Sequence, residues 1–284
     1  MIPYPEINPS LATIPEFSIG SLAIGPFEIR WYALMYIISF VIGYFLLKKL
    51  YKERDVHIKK AHFENLFFYL ILGVIIGGRL GYMLFYNFQE IFRNPLEIFA
   101  VWHGGMSFHG GLIAAIFFGY LFCRKYHYDF YKLADPTVVV APIGLALGRL
   151  GNFINAELYG RATDLPWGML FPGEQVARHP SQLYELFLEG ILLFVILFIL
   201  IKKNVRKGFV FWSFIFLYGL FRFLVEFVRE PDAHLGHLIG FMTMGQILSL
   251  LMMIAGIIGY ISIFRKNRVP KIDENEENNG YLKN

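Results

Sequence analysis

One cysteine, Cys123, stands in 284 residues. A single thiol excludes an intramolecular disulfide and any multi-cysteine metal site. Charge is also scarce: Asp, Glu, Lys and Arg make up 17% of the chain, against about 25% in ordinary soluble domains. No three-ligand histidine or cysteine spacing occurs, and His103 and His109 are six apart. Serine-elbow, P-loop and kinase patterns are missing. No internal repeat is visible.

What is abundant is apolar. Hydrophobic residues make up 56% of the chain. The pattern predicts an all-α, polytopic membrane bundle rather than two soluble domains. Seven apolar runs fall at roughly 27–47, 66–86, 106–123, 138–154, 183–201, 209–228 and 238–264, most near the length of about 20 residues that a bilayer requires. Runs three and four are short, as a re-entrant start or a thinned bilayer would make them. Residues 1–26 carry no basic n-region but hold Pro3, Pro5, Pro9 and Pro15. They read as an irregular external arm and not as a signal peptide. Segments 87–105 and 155–181 are expected to form a small external cap. Residues 265–284 are expected to be a disordered cytoplasmic tail.

Basic residues set the orientation. Eighteen of the 26 Lys and Arg residues lie in four segments, between runs one and two, three and four, five and six, and after run seven. The N-terminus is therefore expected outside and the C-terminus in the cytoplasm. That topology places Arg79, His109, Arg149, Glu185, Glu189, Arg222 and Glu226 all in the outer half of the membrane. Cys123 falls at the opposite, cytoplasmic end. If thiol chemistry occurs, the substrate must bring the thiol.

The stretch Gly148-Arg149-Leu150-Gly151-Asn152-Phe153-Ile154-Asn155-Ala156-Glu157-Leu158-Tyr159-Gly160 concentrates this polarity. An arginine in hydrocarbon costs about 2.5–3.5 kcal/mol even on lenient scales, so it needs an anionic partner or a wet cavity. Arg149 and Asn152 share a helical face, as do Tyr218, Arg222, Glu226 and Arg229. Arginine is the preferred fork for a phosphate. Arg79, Arg149 and Arg222 against a few carboxylates leave room for one anionic ligand. Internal pairing, for example of Arg222 with Glu226, is the competing reading. His109 sits in Gly104-Gly105-Met106-Ser107-Phe108-His109-Gly110-Gly111, poor helix material. A bent start to run three would present the imidazole to a cavity for proton transfer. Tyr32 falls level with the arginines.

Three function classes fit these residues. An outer-leaflet enzyme would use His109. A secondary transporter would place its site near the midplane between repeats. A lipid-binding or assembly protein would use the arginines without His109.

The residues also carry a family resemblance. Gly104–Gly111, the Gly148–Gly160 stretch, Arg178-His179-Pro180-Ser181-Gln182-Leu183-Tyr184-Glu185, Phe221-Arg222-Phe223-Leu224-Val225-Glu226-Phe227-Val228-Arg229-Glu230-Pro231-Asp232 and Met244-Gly245-Gln246 occur in order. Together they resemble the prolipoprotein diacylglyceryl transferases, bacterial seven-span membrane enzymes. The resemblance runs from about residue 17 to the end of run seven, and the Gly148–Gly160 pattern is its most specific part. It implies transfer of the diacylglyceryl group of phosphatidylglycerol to the lipobox cysteine of a prolipoprotein, with release of glycerol 1-phosphate. That reaction is the first step of lipoprotein maturation, on the outer face of the bacterial cytoplasmic membrane.

The resemblance implies that His109 matters for activity; as the thiol needs a base, His109 is the expected one, and Arg222 is expected to stabilise the charge on the leaving phosphate. Arg149 binds the lipid phosphate. Tyr32, Arg79, Asn152, Asn155, Glu157 and Gly160 are the further expected substrate-binding positions, and Glu226 positions Arg222. No metal or organic cofactor is implied, since the lipid is the donor. The expected partners are phosphatidylglycerol, prolipoprotein signal peptides and membrane lipid, with no nucleic acid. One chain, a monomer, suffices for the seven spans and the site.

Overall fold

Each apolar run of the sequence carries a helix in the computed structural model, which describes residues 2–19, 22–24, 27–203, 205–230 and 242–265. The helices are α1 (Trp31–Glu53), α2 (Lys60–Phe85), the short α3 (Phe88–Arg93), α4 (Phe108–Tyr126) and α5 (Phe130–Ile154). They continue with α6 (Ser181–Glu185) and α7 (Leu193–Lys202), joined through a π-helical segment, then α8 (Phe209–Val225) and α9 (Met244–Arg265). Among the described residues, five helices are long and apolar enough to cross a membrane: Trp31–Glu53, Lys60–Phe85, Phe130–Ile154, Ser181–Lys202 and Met244–Arg265. Large side chains such as Phe45, Phe68, Ile113 and Ile258 are exposed on the helices. Apolar surface on this scale is what lipid covers. The chain is a multi-pass membrane protein. The expected start of run seven at Leu238 and the tail from residue 266 lie outside the described residues.

Run four is not short. α5 has 25 residues and begins at Phe130, ahead of the run read from hydropathy. Asp135 and Pro136 interrupt the apolar pattern without ending the helix. Asp135 is buried and accepts hydrogen bonds from Gly208 N at 2.7 Å and Phe211 N at 2.8 Å. It thus satisfies donors at the start of α8 that the helix leaves unpaired.

The glycines beside His109 serve packing, not a re-entrant bend. The chain turns at Gly104 and Gly105, both at positive φ. Ser107 then caps a regular α4 by accepting from Gly110 N at 3.3 Å. Gly110 and Ala114 lie against Gly73, Gly77 and Gly81 of α2, and a Cβ at Gly77 would overlap Ala114 Cβ and the Gly110 carbonyl. Backbone contact of this closeness requires small residues on both helices. Gly77→Ala is expected to destabilise the bundle by about 1–3 kcal/mol, the range for overpacking. Thermal unfolding in detergent measures it; an unchanged midpoint would show that the two helices separate easily.

The N-terminal arm is not irregular. β1 (Ile2–Pro3) pairs in parallel with β6 (Met169–Leu170), β2 (Ser10–Ile14) pairs antiparallel with β5 (Phe27–Arg30), and β3 (Phe17–Ile19) with β4 (Leu22–Ile24). Pro9 and Pro15 flank β2, where a missing N–H breaks no ladder. β5 runs into α1, so the first helix starts at Trp31 and not at residue 27. Tyr4 Oη donates to the carbonyls of Phe153 (2.7 Å) and Ile154 (3.0 Å), tying the arm to the end of α5.

Two apolar clusters hold the bundle. One joins Val139 of α5, Leu193 and Leu197 of α7 and Phe214 and Tyr218 of α8. The other joins Leu47 and Tyr51 of α1, Phe63 of α2, Phe122 of α4 and Leu133 of α5.

Candidate active site

The polar residues gather at one end of the bundle. Arg149 comes from the last turns of α5, Glu185 from the end of α6, Glu189 from the π-helical segment, and Arg222 from the last turn of α8. Glu226 and Arg229 follow α8 directly.

Glu185 is the hub. It is fully buried, and its Oε2 lies 2.6 Å from Arg149 Nε and 2.9 Å from Arg222 Nη1. Its other oxygen is 3.9 Å from Arg229 Nε. Arg222 reaches Glu226 Oε2 through Nη2 at 3.0 Å. Glu189 Oε1 is 3.6 Å from Arg222 Nη1. Thr243 Oγ1 donates to Glu226 Oε1 at 3.0 Å, so the start of α9 closes the cluster. Three guanidinium groups thus meet three carboxylates in a site where charge interactions are strong. The π-helical segment (Leu186–Leu192) carries Glu189, and its Gly190 lies so close to Ala146 of α5 that a Cβ would come within 2.9 Å of the Ala146 Cα. Single π turns inside α-helices recur at functional sites.

Arg149 is the more open arginine. Its side chain is 19% exposed. Nε faces Glu185, and Nη1 approaches Asn152 Oδ1 at 3.4 Å. Its second terminal nitrogen makes no hydrogen bond among the described residues. Asn152 Nδ2 donates to Glu157 Oε1 at 2.8 Å, and Asn155 Nδ2 to the same oxygen at 3.2 Å. Gln182 Nε2 holds the Glu157 carbonyl at 2.7 Å. Tyr32, at the start of α1, packs on Gly151 so closely that a Cβ there would meet its ring at 2.7 Å. Its hydroxyl is 3.0 Å from that of Tyr36, and Arg149 and Glu157 are the charges that act on it.

His109 stands in the first turn of α4. It is buried, and its Nε2 has no hydrogen-bond partner among the described residues. Arg222 and Glu226 are the charges that act on its ring. The neighbouring Phe108 stacks on Tyr218 of α8 with centroids 4.2 Å apart, which docks the start of α4 against the face carrying Arg222. A buried nitrogen left unpaired is uncommon in folded proteins.

Two expected site residues lie elsewhere. Arg79 donates to the carbonyls of Gly104, Gly105 and Glu97 and to Glu97 Oε1 at 2.9 Å. It clamps the segment that leads into His109 and does not join the other arginines. A hydrogen bond from His103, and next Arg79, hold the Glu97 carboxyl below the usual carboxylate range. Gly160 belongs to a backbone junction. Its N donates to His179 O at 2.8 Å, and its ladder partner is Arg229. A Cβ at Gly160 would overlap the Val228 carbonyl.

The rim is stitched by charge. Arg178 bonds Glu174 at 2.9 Å and Glu230 at 3.0 Å. The Tyr159 hydroxyl donates to Glu174 at 2.6 Å, and this bond, with Arg178, holds the Glu174 carboxyl low. Arg161 donates to Arg229 O at 3.0 Å. These bonds fix the 155–181 segment over the end of α8.

Glu185 and Glu189 were legible as outer-half carboxylates but not as site residues. Gln182 and Thr243 carried no sequence signal beyond their place in the family stretches or beside them.

A bundle of apolar helices with an arginine–carboxylate cluster and a buried imidazole at one end defines a polytopic membrane protein. A family model described as prolipoprotein diacylglyceryl transferase matches residues 20–262, and the chain belongs to that family. It is 51% identical over 268 residues to a phosphatidylglycerol–prolipoprotein diacylglyceryl transferase of Geobacter sulfurreducens, covering 94% of this chain and 99% of the relative. The proteins of the same name from Desulfotalea psychrophila (46%, 93% and 100% covered) and Pseudomonas aeruginosa PAO1 (45%, 94% and 97% covered) are similar.

Proposed function

We propose that the chain transfers the diacylglyceryl group of phosphatidylglycerol to the lipobox cysteine thiol of a prolipoprotein and releases glycerol 1-phosphate. The Nε2 of buried His109, without a hydrogen-bond partner among the described residues and beside the arginine cluster, carries this reading. The sulfur attacks the glyceryl carbon that bears the phosphate. The carbon–oxygen bond breaks, and its electron pair leaves with glycerol 1-phosphate. His109 Nε2 takes the thiol proton, since a free thiol, with a pKa of about 8.5, is mostly protonated near neutrality. Arg149 binds the phosphate through its open terminal nitrogen. Arg222, oriented by Glu226 and Glu185, meets the charge that grows on the leaving group. Tyr32, Asn152, Asn155 and Glu157 orient the glycerol head group around Arg149. Gly160 and Arg79 support this arrangement through the backbone junction and the 97–105 segment.

Seven spans, an external N-terminus and a cytoplasmic C-terminus complete the reading. Residues 27–264 form the catalytic domain, the N-terminal residues an external arm and the tail a cytoplasmic extension. The excess of Lys and Arg at one end supports this orientation. The site then faces the outer side of the cytoplasmic membrane, where translocated lipobox cysteines arrive. The donor is the lipid itself, no metal or organic cofactor takes part, and a monomer suffices.

The test uses purified protein in detergent with phosphatidylglycerol and a synthetic lipobox peptide, followed by mass spectrometry. The peptide is expected to gain a diacylglyceryl mass. The gain should vanish with a Cys→Ser peptide and with Arg149→Ala protein. No gain from folded protein with several peptides would overturn the proposal.

A further inference from the structure

The end of the bundle opposite the arginine cluster holds a cavity of about 750 Å³. Ligand sites typically span about 300–1,000 Å³. It lies between the last turn of α1, the first turns of α5, the end of α7 and the segment before α8. Its walls mix two chemistries. Leu50, Val56, Tyr131, Pro136, Ile201 and Val205 are apolar or aromatic, whereas Arg54, Lys132, Lys202, Arg206 and Lys207 are cationic. A smaller cavity of about 340 Å³ adjoins it, and Val56, Lys132 and Lys207 line both.

The carboxylates here are largely engaged. Glu53 pairs with Lys202 at 2.5 Å, and Asp129 with Lys207 at 3.1 Å. Asp135 accepts from the backbone at the start of α8. Asp55 is exposed and lies 3.5 Å from His57. Lys132 and Arg206 have no carboxylate partner among the described residues. The Arg206 guanidinium instead sits 4.9 Å from the ring centroid of Phe264 on α9. Lys132 and Arg206, both exposed, thus line a partly apolar cavity with no counter-ion among the described residues. Basic pockets between helix ends on the cytoplasmic side are suited to phosphate-bearing head groups.

We propose that this cavity binds a phosphate-bearing anion, its phosphate held by Lys132 and Arg206 and its glycerol or acyl part against the Leu50–Ile201 wall. The site is distinct from the Arg149 site. It does not rest on the transferase reaction. Its source is an anionic lipid of the cytoplasmic leaflet or a soluble phosphate.

Native mass spectrometry of the full chain, released from nanodiscs containing phosphatidylglycerol, tests this directly. Wild-type protein is expected to retain a lipid that Lys132→Gln/Arg206→Gln protein loses, with binding weakened roughly tenfold or more, as two removed charges imply. The charge-preserving Lys132→Arg/Arg206→Lys protein should keep it, which separates loss of charge from misfolding. Arg149→Ala should leave this lipid in place, so failure of the catalytic reading is seen independently. A second arm adds inorganic phosphate. Displacement of the lipid, or phosphate binding that the glutamine variant lacks, assigns the site to phosphate in general. Lipid alone, unmoved by phosphate, assigns it to a head group in the leaflet. Equal retention by wild type and the glutamine variant, with no phosphate binding to wild type, overturns the proposal.

Discussion

Glu185→Gln is expected to abolish diacylglyceryl transfer and to lower stability by about 3–5 kcal/mol, the range for breaking a buried ion pair. The carboxylate faces Arg149 and Arg222 through one oxygen, at 2.6 and 2.9 Å, and Arg229 through the other. An amide offers no charge, and its NH2 would be placed against a guanidinium. Three cations would then share two carboxylates in a closed site. Arg149 and Arg222 would separate, and with them the two groups assigned to the phosphate. A companion variant divides the two effects. Glu185→Gln/Arg229→Gln restores charge balance and should regain part of the stability without the activity. Thermal unfolding in detergent and the peptide assay read them separately. Near-normal transfer by Glu185→Gln would show that the arginines keep their positions unaided and would remove Glu185 from the site.

His109→Ala is expected to slow transfer near neutral pH by about 10²–10⁴-fold, the usual contribution of a general base, while lipid retention stays unchanged. The dependence on pH is the sharper observation. Below the thiol pKa of about 8.5 the substrate needs a base; above it the thiolate forms on its own. The deficit of the variant should therefore shrink as pH rises from 7 through 9.5. Rates for both proteins across that range, measured with the same peptide, decide the matter. A deficit that stays constant with pH would mean that the imidazole positions substrate and takes no proton.

Much of the architecture was legible from hydropathy, because lipid demands long apolar helices and permits little else. The exceptions have local causes. The start of α5 was hidden because Asp135 and Pro136 resemble an ending, yet Asp135 is buried to cap another helix. The arm before Trp31 looked irregular because short strands leave a weak pattern, and β1 is completed only by Met169–Leu170, far along the chain. Gly110 looked like a bend because the helix it packs against could not be seen.

The sequence by itself determined which residues are costly in a membrane, at which end they gather and to which family the motifs point. Those conclusions depend on composition, spacing and order along the chain. Only the tertiary structure decided who pairs with whom. Arg79 and Arg149 sit at similar depth on their helices, yet Arg79 is held by Glu97 and the Gly104 and Gly105 carbonyls, while Arg149 shares Glu185 with Arg222. Depth follows from position within one helix. Pairing is set by how neighbouring helices are rotated and how closely they approach, and those are fixed by glycine contacts and side-chain packing across distant parts of the chain.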